Sequence, residues 1–285
     1  MLFNKRMTGY ANLLSKRGRV FRPEYLGAVL DAAAAEADHL VVTGDITNLS
    51  LEGEYEEAFR LLSEVSGKIE VTVVPGNHDI YLPITLHERR FPHHFDSFMQ
   101  GDLPELELDL PAGRFPTVKL RGAVAIVGLS SAVPRPPFIS AGYLGREQLD
   151  AFARVLEHPE VAARTVVVLV HHSPFDARFR IDQLQGGLVD ARRLRRALQP
   201  LARGLLLYGH IHVRRHDRLE TSTGAIEVVC ASGATLDHAD PRVRAGYNLY
   251  EIDDAGRIVT IETRVLEPST GRFVAAVLPV EGVQT

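Results

Sequence analysis

The chain has 285 residues, of which 45% are hydrophobic and 24% are charged, and its formal net charge is -4. So small a charge argues against a dedicated nucleic-acid binder, because phosphate contacts need a basic face. No apolar stretch approaches the roughly 20 residues that cross a bilayer, and residues 1–22 lack the continuous apolar segment of a secretory signal. The single cysteine, Cys230, excludes an intramolecular disulfide. These features favour a globular protein of the cytoplasm without a membrane partner.

Helical and apolar patterns alternate along the chain. Helices are predicted over residues 23–37, 51–66, 145–158 and 188–201. Strands are predicted over residues 39–43, 69–74, 118–120, 124–129, 165–170 and 204–208. The alternation is typical of right-handed βαβ units in a parallel sheet. After residue 212 short strands dominate, so we expect one domain over residues 1–285, with a core at about 23–216 and a strand-rich part, 217–285, that completes a second sheet.

Four short polar fragments follow the ends of four predicted strands. In chain order they are Gly44-Asp45-Ile46-Thr47-Asn48, Gly76-Asn77-His78-Asp79, His171-His172-Ser173-Pro174 and Gly209-His210-Ile211-His212. In an open α/β sheet, the carboxyl ends of parallel strands gather at one edge, where ligands bind. Three of the fragments begin with glycine, which suits sharp turns of the backbone. We therefore expect the four fragments to form one site.

Together and in this order, the fragments resemble the signature of the calcineurin-like metallophosphoesterases. The resemblance implies an α/β fold, a two-sheet α/β/β/α sandwich of the metallo-dependent phosphatase type. It also implies hydrolysis of a phosphodiester or a phosphomonoester by attack of a metal-bound hydroxide between two cations. Mixed nitrogen and oxygen ligands suit divalent Mn, Fe, Zn or Co. The expected partner is a small-molecule phosphoester, and the oligomeric state is left open.

The resemblance also assigns roles to single residues. Asp45 matches the carboxylate that bridges the two cations, and Asn77, His172 and His210 match further ligands of the second cation. His212 matches a ligand that reaches back to the first cation. The ring of His78 matches a histidine that hydrogen-bonds the phosphate and protonates the leaving oxygen, which suits a group that titrates near neutrality.

Other residues near the fragments have supporting or alternative interpretations. Asp79 is expected to orient its neighbour His78, and Asn48 either hydrogen-bonds near the bridging site or forms a turn. His171 is expected to point away from the strand end and to support the site from behind. Arg135 and the stretch Leu129–Ala132 before it are placed on a substrate-side loop. The arginine run at residues 192–196 is interpreted as a solvated helix face rather than an anion site. His94 is placed in a loop rich in proline and phenylalanine, and His216 is expected to face solvent.

The first fragment of the family signature, an Asp-x-His at the end of a first strand, is not found. None of the 12 histidines has an aspartate two positions before it. The segment Leu2–Arg6 resembles the loop that follows this fragment, so the first strand is missing from the resemblance. We favour the hypothesis that the natural protein is longer, and the alternative is true loss of half of one metal site.

The missing fragment affects the predicted function. Asp45 and His212 alone would give the first cation two protein ligands, so weak activity is expected from this chain. The alternative function is a catalytically incomplete scaffold or binding protein on the same fold, although a scaffold has no need of His78. A DNA-processing nuclease is a third, less favoured interpretation because the chain is mildly acidic.

Overall fold

The computed structural model describes residue 5 and residues 20–177, 179–278 and 280–284. Apart from Lys5, the segment Leu2–Arg6 lies outside these residues. The helices are α1 Glu24–Glu36, α2 Glu52–Ser66, α3 Pro83–His87, α4 Arg90–Met99, α5 Arg146–Glu157, α6 Pro159–Ala162, α7 Arg180–Gly186 and α8 Ala191–Leu198. None of the helices in the described ranges is both long enough and apolar enough to span a membrane.

Helices and strands are interspersed as far as residue 208, with four consecutive strands between residues 108 and 128, and strands then dominate. Their bounds are β1 His39–Val42, β2 Glu70–Val73, β3 Leu108–Leu110, β4 Gly113–Phe115, β5 Thr117–Arg121, β6 Val124–Gly128, β7 Thr165–Leu169, β8 Gly204–Tyr208, β9 Arg215–Glu220, β10 Ala225–Cys230, β11 Gly246–Ile252, β12 Ile258–Glu267, β13 Arg272–Val277 and β14 Val280–Gln284.

The largest sheet has seven strands in the order β14-β9-β10-β8-β7-β6-β5. Its central strands β6, β7, β8 and β10 are parallel neighbours. Strands β1 and β2 form a separate parallel pair, and β11, β12 and β13 form an antiparallel sheet. The strands after residue 212 are therefore divided between two sheets, because β9, β10 and β14 extend the large one.

The central strands β7 and β8 of the seven-stranded sheet are buried on both faces, and alternate side chains of a strand enter different cores. On β7, Val166 and Val168 point into a core beneath α5 and α8, whereas Val167 and Leu169 point into a core shared with α1, α2, α4 and β1 and β2. Residues of β11 and β12 pack against that second core. The α/β sandwich expected from the sequence is thereby confirmed.

Helix α2 shows how local sequence produces these layers. Its buried residues Tyr55, Ala58, Leu62 and Val65 recur at helical spacing and form one apolar stripe. The helix ends at Ser66, as predicted, and Gly67 is its C-cap. The other predicted helices lie within three residues of their observed bounds. The sequence analysis did not predict helices α3, α4 and α7. These helices are short or contain histidine and proline, so their sequences lack a clear helical spacing of apolar residues.

Candidate metal centre

The four fragments meet where the two sheets adjoin. Strands β1 and β2 lead to the first two fragments, and β7 and β8 lead to the other two. The Nδ1–H group of His171 donates to the carbonyl of Thr43 over 2.7 Å, which joins the end of β7 to the end of β1. The backbone N–H of Gly209 donates to the carbonyl of His171 over 3.0 Å. The predicted gathering of the fragments is therefore observed.

The backbone at this junction is held in unusual conformations. Three non-glycine residues of the fragments have positive φ angles: Asp45 at 58°, His210 at 68° and His212 at 55°. Left-handed backbone is uncommon for such residues and costs free energy that the surroundings must offset. Clusters of this kind are typical of functional sites, where side chains must be aimed in directions that regular strands do not offer.

Two glycines allow the first two fragments to touch. A Cβ atom on Gly44 would lie 2.7 Å from the Cα atom of Gly76, and the φ angle of Gly44 is +91°. A Cβ atom on Gly76 would overlap the Oδ1 and N atoms of Asp45 and would lie 2.7 Å from the Cε1 atom of His171. The close approach that brings Asp45 to His171 therefore requires a residue without a side chain at position 76.

The Nε2 atom of His171 is the centre of the site. It lies 3.1 Å from Asn77 Oδ1, 3.4 Å from Asp45 Oδ1 and 3.3 Å from His210 Nδ1. Asp45, Asn77 and His210 belong to the first, second and fourth fragments, and His171 belongs to the third. All four fragments therefore contribute an atom to this centre. The expectation that His171 points away from the site is wrong, because the chain bends at residues 171 and 172 and strand alternation no longer applies there.

The electrostatics at this centre favour a positive charge. Burial alone would raise the pKa of Asp45, but His171 and His78 hold that pKa well below its usual range. Burial lowers the pKa of His171, and the Asp45 carboxylate more than offsets this and leaves that pKa raised. The oxygens of Asp45 and Asn77 and a ring nitrogen of His210 all face the Nε2 atom of His171. A proton or a metal cation between these atoms would relieve the repulsion of their lone pairs.

His172 and His210 are held neutral. Burial, with His171 as the next cause, lowers the pKa of His172 well below its usual range and lowers that of His210 to about 3. The Nε2 atom of His172 is 2.7 Å from the carbonyl of Ser140, so it donates there, and Nδ1 accepts from the Ser131 hydroxyl at 2.8 Å. Both ring nitrogens of His172 thus have protein partners.

Asp79 links the first two fragments. Its Oδ1 atom accepts from Thr47 N at 2.7 Å and from Thr47 Oγ1 at 3.0 Å, and its Oδ2 atom accepts from Gly76 N at 2.8 Å. Burial and the nearby Asp45 raise the pKa of Asp79 to about 6. The hydroxyl of Tyr55 donates to the Asp79 carbonyl. Asp79 therefore holds the two loops together rather than contacting His78 directly through its carboxylate.

His78 lies beside this link, and neighbouring groups hold its backbone N–H and its ring. Its backbone N–H donates to Asp45 Oδ1 over 2.9 Å, and its Nδ1–H donates to the carbonyl of Asn48 over 2.6 Å. Its ring stacks on that of Tyr81, with centroids 5.4 Å apart. With Nδ1 committed to a carbonyl, Nε2 is the nitrogen that gains and loses a proton. Asn48 therefore orients the His78 ring through its backbone carbonyl.

The remaining predicted residues lie farther from the centre. Among the described residues, the ring nitrogens of His171, His172 and His210 form the one group of potential metal-binding side chains, within 4.8 Å of one another, and His212 is outside it. The ring of His212 packs edge-on against Phe21, with centroids 6.1 Å apart. The Nε–H group of Arg135 donates to the carbonyl of Ala141 over 2.9 Å and so braces its own loop.

Some residues of the site escaped prediction. Thr43 and Ser140 contribute only backbone carbonyls, for which a sequence carries no signal. Ser131 and Tyr55 contribute their hydroxyl groups. From the sequence, Ser131 is in a predicted loop and Tyr55 is on the apolar face of a predicted helix, so neither is recognised as a site residue. Ser131 lies in the stretch after the β6 strand that was considered substrate-side, so its position gave a weak indication.

The donor set fits a divalent transition metal. The Nε2 atom of His171 lies 3.1 to 3.4 Å from the amide oxygen of Asn77, the ionised carboxylate of Asp45 and a ring nitrogen of His210. This mixture of ligands suits Mn, Fe, Zn or Co better than Mg. The Thr43 carbonyl fixes the proton of His171 on Nδ1, which turns the Nε2 lone pair toward these atoms. The arrangement supports binding of one cation without further change of ring tautomers.

Comparisons with known proteins show the family to which this chain belongs. A solved dimetal phosphatase from Danio rerio is 15% identical, with 90% of this chain and 89% of that chain covered and a TM-score of 0.46. A comparison with curated proteins finds no match. The model of the calcineurin-like phosphoesterases matches residues 19–214, well over half of the chain. The chain therefore belongs to the calcineurin-like phosphoesterase family, whose members are metal-dependent hydrolases of phosphoesters.

Proposed function

We propose that this protein hydrolyses a phosphodiester or a phosphomonoester of a small molecule in the cytoplasm, with a divalent transition metal bound by Asp45, Asn77, His171 and His210. The observation that carries the proposal is the convergence of three donor atoms on the Nε2 atom of His171, at 3.1 to 3.4 Å. A bound cation at this point would polarise a phosphoryl oxygen and stabilise charge that develops in the transition state.

His171 is proposed as a ligand in place of His172. The Nδ1 proton of His171 is committed to the Thr43 carbonyl, so its other nitrogen offers a lone pair to the site. His172 instead donates from Nε2 to Ser140 and accepts at Nδ1 from Ser131. The His172 ring packs against His210 with centroids 4.5 Å apart, which supports a role in positioning that ligand.

His78 is proposed as the acid that protonates the leaving oxygen. Its Nδ1–H group is held by the Asn48 carbonyl, and its backbone is tied to Asp45. The ring therefore keeps a fixed direction relative to the bridging carboxylate. An imidazole held in a fixed direction is suited to general acid catalysis. Asp79 keeps the loop of His78 against that of Asp45.

The alternative is a catalytically incomplete scaffold or binding protein on the same fold. One observation favours it: the family resemblance assigns only Asp45 and His212 to the first cation, and among the described residues His212 lies outside the histidine group. The proposal of an enzyme rests on His78 and its supports, which a scaffold would not require. His212 is kept as a proposed ligand of this weaker cation position.

Metal binding and hydrolysis together test the proposed function. The protein is loaded with Mn or Zn, binding is measured by calorimetry, and hydrolysis of p-nitrophenyl phosphate and bis-p-nitrophenyl phosphate is followed. We expect His171→Ala to lose the bound metal and all hydrolysis. The exposed His87 on α3 provides the matched control, and His87→Ala is expected to behave as the wild type.

The same measurements separate the alternatives. Retention of the metal by His171→Ala, with loss in His172→Ala, would refute the ligand assignment. Metal binding without hydrolysis of either ester would favour the scaffold. Thermal unfolding of each variant, measured without metal, checks that the substitution has not unfolded the protein.

A further inference from the structure

A surface beside the candidate metal centre combines exposed apolar side chains with arginines. The apolar side chains are 42% to 86% exposed and are those of Phe138, Tyr143, Phe179, Ile181, Leu184 and Val189. The arginines are on or next to helices α7 and α8 and are Arg180, Arg192, Arg193 and Arg196. We call these ten residues the α7–α8 surface. Monomeric proteins rarely expose several large apolar side chains in one region without a use for them.

Backbone hydrogen bonds hold the parts of this surface together. Ser140 N donates to the carbonyl of Gln185 over 2.6 Å, and Gly142 N donates to that of Gly187 over 3.0 Å. Val189 N donates back to the carbonyl of Gly142 over 3.0 Å. A shallow depression of about 800 Å³ is lined jointly by side chains of both kinds, among them Tyr143, Leu184, Val189, Arg180, Arg192 and Arg193.

The two helices contribute in different ways. Helix α8 buries Ala191, Leu194 and Leu198 in the core and leaves three of its arginines outside. Helix α7 has no buried residue at all. Its Ile181 and Leu184 are 59% and 52% exposed. The folded core therefore makes no use of these apolar side chains, and burying them against a partner would be favourable.

The balance of charge on this surface is positive. Arg195 and Arg192 both pair with Asp176, at 2.8 and 3.2 Å. The buried Asp190 accepts the backbone N–H groups of Leu144 and Gly145. The third carboxylate, that of Asp182, is exposed. Within the described part of the chain, Arg180, Arg193 and Arg196 have no acidic partner, although the whole chain carries a formal net charge of -4.

We propose that the α7–α8 surface docks this protein onto a membrane rich in anionic phospholipids. Arginines attract anionic headgroups, and neighbouring aliphatic and aromatic side chains enter the boundary with the acyl chains. Docking of this kind needs no membrane-spanning helix, so the proposal replaces the expectation from the sequence that the protein has no membrane partner. A nucleic acid would pair with the arginines but would leave Ile181, Leu184 and Val189 in water. A second copy of the chain, related by a two-fold axis, would bring arginines against arginines.

The surface also borders the candidate metal centre. A second cavity, of about 660 Å³, shares Asp176, Ala177 and Gln183 with the depression and extends to His210. A Cβ atom on Gly186, the last residue of α7, would lie 3.6 Å from the Nε2 atom of His210. Docking would therefore bring the metal centre to the level of the headgroups. The proposal itself does not depend on catalysis.

Vesicle co-sedimentation tests the proposal. The protein is mixed with vesicles of phosphatidylcholine alone or of phosphatidylcholine with phosphatidylglycerol, at low and high salt. We expect binding to the anionic vesicles that weakens as salt rises, and little binding to the neutral ones. Arg193→Glu with Arg196→Glu, and separately Ile181→Ser with Leu184→Ser, should each weaken binding by roughly tenfold or more.

Controls come from exposed residues on the turn and strand after β11. Arg257→Glu and Val259→Ser replace an arginine by glutamate and an aliphatic residue by serine at side chains that are exposed and distant in sequence, and they should bind vesicles as the wild type does. All variants alter exposed side chains, so unchanged thermal unfolding is expected and is measured for each one.

Three results would overturn the proposal. The first is no binding to anionic vesicles, or equal binding by the surface variants and the controls. The second is a dimer in sedimentation velocity that Ile181→Ser with Leu184→Ser dissociates, which would make the surface an interface between copies. The third is binding of single-stranded DNA or RNA, without vesicle binding, that the arginine variants abolish.

Discussion

Replacement of Gly76 by alanine is expected to disable the metal centre. The added Cβ atom would lie 2.7 Å from the Cε1 atom of His171 and would overlap the Oδ1 and N atoms of Asp45. Ordinary contacts of a Cβ atom begin near 3.4 Å. Either the Asp45 loop or the His171 ring must therefore move by roughly 0.7 Å or more, and both carry proposed metal ligands.

The size of the effect follows from this displacement. A misplacement of about 1 Å at a catalytic site lowers rates by roughly 100-fold. Crowding a close-packed region by one methyl group also costs about 1–3 kcal/mol of folding free energy. We expect Gly76→Ala to lower metal affinity by at least about tenfold, hydrolysis by about 100-fold, and the free energy of unfolding by about 2 kcal/mol.

Gly27→Ala provides the matched control. Gly27 lies within α1, and a Cβ atom there would have nothing within 4 Å. Alanine in place of glycine inside a helix should stabilise the protein by about 0.5–1 kcal/mol. The same chemical change is therefore expected to have opposite effects on stability at the two positions.

Urea unfolding and calorimetric metal titration of the two variants give the comparison. Equal metal affinity in Gly76→Ala and the wild type, with no loss of stability, would refute the reasoning. It would mean that the contact between the first two fragments is loose and that Asp45 is not held against His171.

Three further outcomes are expected. Elemental analysis after loading with Mn or Zn should find about one cation per chain, because one cluster of donors converges; two tightly bound cations would contradict this. His78→Ala should keep the metal but lower kcat/KM about 100-fold or more for alkyl phosphoesters and less for p-nitrophenyl esters; an equal loss for both would exclude the acid role. Glu227 raises the pKa of His216, so the pair stabilises the fold fully below the unfolded pKa of about 6.5 and loses this contribution as pH rises through the folded pKa. Thermal unfolding from pH 5.5 to 8.5 should therefore decline less in His216→Gln than in the wild type, and parallel curves would count against the pair.

His216 also shows where sequence reasoning failed. It was predicted to face solvent, yet it is 7% exposed and lies 2.8 Å from Glu227 and 3.1 Å from the carbonyl of Leu278. Both partners are distant in sequence and reach it only because β9 pairs with β10 and β14. His94, assigned to a loop, lies on α4 and stacks on Tyr55.

The sequence by itself determined the layers of the fold and the position of the site. Apolar runs ending in polar fragments define parallel strands, and parallel strands gather their carboxyl ends at one edge. Asp45, Asn77 and His210 meet there because each directly follows such a strand. Periodicity and composition are local properties, so they can be read from residues that are neighbours in the chain.

Only the tertiary structure decided which histidine of the His171-His172 pair faces Asp45. The choice depends on a bend after β7, on the Thr43 carbonyl from another sheet, and on the Ser131 and Ser140 groups that hold His172. The tertiary structure also determines that the apolar side chains of α7 face outward. Both outcomes are set by contacts between segments far apart in sequence, because ring orientation and burial depend on what packs alongside and not on a residue's own neighbours.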